Sequence, residues 1–248
     1  MTLWRLELLR LVRTHRWTIL IGVYIGFAVL GAFSARYMND ILARFAGDVV
    51  VEFPEPRPVD GLVQFIGNVS QLGVLAVVIV ASGALAMDAR PEAAAFLRTR
   101  VERTRILLWP RYTVVTVVAV LSLALGTATT WGLTEVLIGS LPTGPVVIGT
   151  LLGGLYLAFA VAVVAAVAGF TPGATPTVFL SLLVLLALPA LGLVPPVAVW
   201  LPSHLVAAVA GLVEGEPTSE YLRAAAVTAV VTPALLAAAA ARFERREL

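Results

Sequence analysis

Six long apolar runs, separated by short polar stretches, set out the chain: residues 17–35, 61–87, 112–133, 147–169, 175–193 and 224–241. Each is long enough to cross a bilayer as a helix of roughly 20 residues. The second is long enough to tilt, and Pro233 interrupts the sixth. Residues 1–16 follow another pattern. At 100° per residue, Trp4, Leu8, Leu11 and Val12 share one arc, while Arg5, Arg10, Arg13 and Arg16 lie around the other side. That pattern predicts an interfacial amphipathic helix with its apolar face in lipid. Before the sixth run, Pro195, Pro196 and Pro202 break up a stretch whose residues 197–213 are mostly apolar. It is too short for an ordinary span. A short outer helix over 204–213 is expected, capped by Ser203 and anchored by Trp200, lying at the interface or re-entering the membrane. The expected fold is therefore a single all-α polytopic membrane domain over 1–248.

Composition supports this. The chain is 60% hydrophobic and 13% charged, against about 45–50% and 25% in soluble domains. It has no cysteine and no lysine. Disulfides, thiolate nucleophiles and a Walker A lysine are thereby excluded, so this chain hydrolyses no ATP by a P-loop. The pI near 9.4 reflects arginines whose placement topology explains, so no nucleic-acid partner is expected. Those arginines cluster: Arg5, Arg10, Arg13 and Arg16 before the first run; Arg90, Arg98, Arg100, Arg103, Arg105 and Arg111 between the second and third; Arg242, Arg245 and Arg246 after the sixth. The intervening segments hold Arg36, Arg44, Arg57 and Arg223 among nine acids. By the positive-inside rule both termini are cytoplasmic, and an even number of spans requires the same.

By these boundaries no span contains an ionisable residue. Ion-coupled carriers and pumps place such groups at membrane depth, so a proton- or sodium-driven carrier working alone is disfavoured. His15 and His204 flank the spans and make no metal site; no metal ligand set and no catalytic motif is found, and the chain is not expected to be an enzyme. Gln64, Asn68 and Gln71 share one face of the second span. They line a pathway, form a subunit interface, or glue helices within one subunit. Gly22 with Gly26, and Gly149 with Gly153, stand at GxxxG spacing, which marks close helix contact or merely the frequency of glycine in membrane helices.

The segment 88–111 is the only long charged stretch between two apolar runs. Pro91 and Glu92 suit the start of a helix. Ala93, Ala94, Leu97 and Val101 then share an arc. Arg98, Glu102 and Arg105 flank it on one side, and Arg100, Arg103 and Glu92 on the other, near Phe96. An apolar strip with a charged rim suits docking into a partner's groove; a basic loop facing water and lipid would carry the same arginines.

The whole layout resembles the ABC-2-type permease family, the membrane subunits of ABC exporters: amphipathic N-terminal helix, six spans, basic loop after the second, broken apolar segment before the sixth. The residues that correspond to the family's loop are Asp88 and Arg90, Phe96–Leu97, Glu102–Arg103–Thr104–Arg105, Ile106–Leu108 and Arg111. The resemblance implies a plasma-membrane permease that pairs with a second permease subunit, identical or different, and binds two cytoplasmic ABC ATPase subunits. ATP and magnesium would be bound by those partners, with no cofactor in this chain. The coupling surface would comprise Arg90, Glu92, Phe96, Leu97, Arg98, Arg100, Val101, Glu102, Arg103 and Arg105. A non-transport scaffold or regulatory subunit would share the topology without needing an ATPase.

Overall fold

The computed structural model describes residues 3–45, 55–86 and 105–245, with side chains omitted at 39–45 and 105–106. The described residues form helices α1 (Leu3–Arg13), α2 (Arg16–Phe45), α3 (Pro58–Asn68), α4 (Val74–Leu85), α5 (Arg105–Leu137), α6 (Thr143–Ala168), α7 (Ala174–Leu191), α8 (Pro195–Ala198), α9 (His204–Glu214) and α10 (Ser219–Arg245). A five-residue π-helical segment, Val69–Gly73, joins α3 to α4. Six helical stretches are long and apolar enough to cross a membrane, and α9 is a shorter apolar helix. The protein is therefore an all-helical, multi-pass membrane protein. Two ends of the bundle are distinguished below: the terminal end, where α1, the close of α4 and the opening of α5 meet, and the opposite, distal end.

Every apolar run becomes a span, but the boundaries move. The third span begins at Leu107, five residues earlier than expected, in a helix α5 that opens at Arg105. Arg105 and Arg111 thus belong to a span helix and not to a separate cytoplasmic one. Pro110 and Pro233 lie inside continuous helices, as happens where neighbouring helices hold the chain in membrane bundles. The second span is not a uniform α-helix: the π turn interrupts it. Tyr24 of α2, fully buried, seats its ring where a side chain on Gly73 would otherwise sit.

Helix α6 is the centre. It touches α4, α5, α7, α9 and α10, and Tyr156–Ala168 is buried with the single exception of Ala158. Its glycines and alanines let neighbours approach closely, the usual basis of helix packing where lipid is as apolar as the side chains. A Cβ on Gly149 would lie 2.5 Å from Val209 Cα, so α9 docks backbone to backbone on α6. This GxxxG pair is an internal contact. Gly22 and Gly26, by contrast, face open space on α2. On the other flank Phe65, fully buried, wedges between α2 and α5 at Gly31 and Gly126.

The helix before the last span forms as expected, from His204, and rises beside α6 and α3. Ser203 does not cap it: its side chain makes no hydrogen bond to the helix start. The helix end turns on Gly215 at φ +100, a left-handed position where glycine costs least. At this distal end Arg57 Nη2 bonds Asp60 Oδ1 at 3.0 Å and reaches Glu214 Oε1 at 3.6 Å, tying the start of α3 to the end of α9. Tyr221 donates its hydroxyl to Glu216 and stacks on His204, ring centroids 4.8 Å apart.

Candidate functional site

The terminal end holds a charged group that sequence pattern did not reveal. Helix α1 turns Leu11 and Glu7 toward the bundle and leaves Trp4, Leu8 and Val12 exposed. The expected apolar arc is thus divided: its edge residue Leu11 packs on protein. Between α1 and α2, His15 adopts φ +53, a conformation uncommon outside glycine.

Arg111, one and a half turns into α5, is only 6% exposed. A cation so placed needs a partner. Its Nε donates to Glu7 Oε1 at 3.0 Å, and its Nη1 reaches the Ala84 carbonyl at 3.4 Å. Ala84 sits in the last turn of α4, where carbonyls have no partner within the helix. One guanidinium therefore joins three elements: α1, the end of α4 and the start of α5. Arg10 Nη1 approaches the second oxygen of Glu7 at 3.6 Å, and Arg16 lays its guanidinium against Gly83. The expectation that spans carry no ionisable group is corrected here. Arg111 lies inside the third span, kept there by an acid 104 residues away. Glu7 stands one turn before Leu11, at the edge of the apolar arc, and only the fold brings it to Arg111.

The amide face has a different setting. Gln64 and Asn68 are half-buried and Gln71 is exposed, beside an open Gly67. Asn68 Nδ2 bonds the Gln64 carbonyl of its own helix at 3.0 Å. Ser70 bonds back to Gly67 in the same way. The stretch coincides with the π turn, a distortion that recurs at functional positions. The three amides thus run from the first third to the middle of a 28-residue span, with Gln71 the most exposed, and among the described residues Asn68 bonds within its own helix. The hydroxyls of Thr113 and Ser122 likewise bond back to α5.

Of the expected coupling residues, Arg90, Glu92, Phe96, Leu97, Arg98, Arg100, Val101, Glu102 and Arg103 lie outside the described residues. So does Asp88. Arg105 opens α5, with its side chain undescribed. Among the described residues no group of three His, Asp or Glu is placed to hold a metal ion.

Comparison with protein-family models, with curated proteins and with solved structures finds no match to this chain.

Proposed function

We propose that this chain is the permease subunit of an ATP-driven ABC exporter of the ABC-2 type, set in the plasma membrane with both termini cytoplasmic and driven by a separate ATPase. The observation that carries the reading is the link made by Arg111. Residues 87–104 connect α4 to α5, and the facing ends of those two helices are joined to each other and to α1 through Arg111, Glu7 and the Ala84 carbonyl. A force applied to that connection is transmitted to three helices together. Among the described residues no Asp, Glu, Arg or His lies in the middle of a span, which fits a chain that receives work from a partner. The partner ATPase binds ATP and magnesium.

The test is co-purification with an ABC ATPase from the cells that produce this chain. Wild type is expected to retain it, and Leu97→Asp combined with Val101→Asp to lose it while eluting as a folded membrane protein. If no ATPase is retained by wild type, the chain is a scaffold or regulatory subunit and the exporter reading fails. If the double variant still retains it, the coupling surface is wrong.

We assign the amide strip to the contact with the second permease subunit. Amides are costly against lipid, and Gln71 is exposed on the isolated chain. The chain has no cysteine, so Gln71→Cys introduces a single thiol. Oxidative crosslinking in membranes is expected to give a covalent dimer from Gln71→Cys and none from Val230→Cys, which is 71% exposed on α10. Monomeric Gln71→Cys that reacts with a water-soluble maleimide would assign the strip to a pathway instead.

A further inference from the structure

The π turn interrupts the backbone hydrogen-bond ladder of the second span. Val74 N–H is shared between the Gln71 and Val69 carbonyls, three and five residues back. In an α-helix it would bond the carbonyl four back, that of Ser70. The ladder is thus divided between two registers at the residue that opens α4. Side chains clamp this point little. Gly73 contributes none, and a Cβ there would stand 3.3 Å from Tyr24 Cζ. An apolar gap also borders the turn, lined by Val69, Ser70 and Val74 with Leu123, Tyr156 and Val209.

We propose that this turn is a joint at which the second span bends, so that α4 swings while α3 stays in place. Sharp kinks in helices occur at π turns, where the ladder is already broken. The two halves also keep different company. α3 packs mainly on α2, with α5 and α9, whereas α4 packs mainly on α6 and α7, with α5. Each half is tied at the end away from the turn. Arg57, which caps α3, reaches Glu214 at 3.6 Å, and the Ala84 carbonyl in the last turn of α4 accepts from Arg111 at 3.4 Å. Phe65 further pins α3 against Gly31 and Gly126. A displacement of the terminal end therefore reaches α4 first and is taken up at the turn. Gln64 and Asn68 lie before the joint and Gln71 within it, so a bend alters the spacing of the three amides. The inference rests on the fold and needs no ATPase partner.

The test uses the full chain in lipid nanodiscs. It has no cysteine, so a pair of spin labels can be placed without removing any thiol. Val63 on α3, Ile79 on α4 and Leu222 at the distal end of α10 are all exposed and take a label without entering the core. Ile79→Cys with Leu222→Cys is expected to give two distances by double electron–electron resonance. Ile79 lies six residues beyond Gly73, so a kink of about 20° separates the two by about 3 Å. Val63→Cys with Leu222→Cys is expected to give one distance, because α3 does not swing. Deleting Ser70 removes the residue that the π turn accommodates and should leave a single distance for both pairs. One distance from the Ile79 pair without the deletion overturns the proposal. So does equal splitting in the Val63 pair, or splitting that survives the deletion in a folded protein. Where the deletion variant does not fold, the two label pairs in the full-length chain decide alone.

Discussion

Glu7→Ala is expected to destabilise the protein by about 3–5 kcal/mol, the usual result of removing one member of a buried ion pair. The cause is what remains. Arg111 would keep its place in α5, 6% exposed, with the Ala84 carbonyl at 3.4 Å as its remaining partner among the described residues. Arg111→Ala is expected to cost less, because Glu7 is more exposed and retains Arg10 nearby. The combined replacement Glu7→Leu with Arg111→Met removes both charges and fills the space; it should recover most of the loss. A double-mutant cycle on thermal midpoints in detergent measures the coupling directly. Additive single losses would mean that the two side chains do not hold α1 on the bundle. The same variants bear on function. If Arg111 joins the three helices that receive force, the charge-free pair should restore stability yet fail to restore ATPase-driven transport, since a hydrophobic contact lacks the directional link to Ala84.

Gly149→Val is expected to separate α9 from α6. The added Cβ would meet Val209 Cα at 2.5 Å and the Ala208 carbonyl at 2.7 Å. Both are backbone atoms, so neither can turn aside as a side chain would. Overpacking typically costs about 1–3 kcal/mol, and a backbone obstacle belongs at the upper end. Gly22→Val and Gly26→Val supply the comparison, since nothing lies within 4 Å of either position; their effect on the stability of the isolated chain should be negligible. Ala208, fully buried beside Gly149, offers the readout. A cysteine placed there should resist maleimide in the parent and react once Gly149→Val is added. If α9 stays protected, the glycine contact is not what docks it. A loss of dimer crosslinking in Gly26→Val, with stability unchanged, would assign the α2 glycines to contact between subunits.

The two glycine pairs show where sequence reading stops. They have the same spacing and similar apolar surroundings, yet one is buried against a neighbouring helix of the same chain and the other faces outward. In a soluble helix the polar side would have told them apart. In lipid both sides are apolar, so hydrophobic periodicity carries no record of which faces inward. The density of small residues in α6 was the available signal for its central place, and only packing turns that signal into a position. The amide strip was legible because polar residues stand out against lipid. Its outward direction was not, since an amide can satisfy itself on its own helix as Asn68 does. Arg111 was grouped with a loop because charge marks the end of an apolar run. Its burial depends on Glu7, and no local pattern relates residues 104 positions apart.

The sequence by itself determined the number, type and approximate limits of the spans. Backbone groups in hydrocarbon must be paired within their own segment, so runs of that length and composition have one outcome. The tertiary structure decided which helix is central, which glycines are contacts, where a π turn enters the second span, and that a cation near the opening of the third is buried. Those depend on the shape and charge of neighbours far away along the chain, which composition and periodicity do not encode.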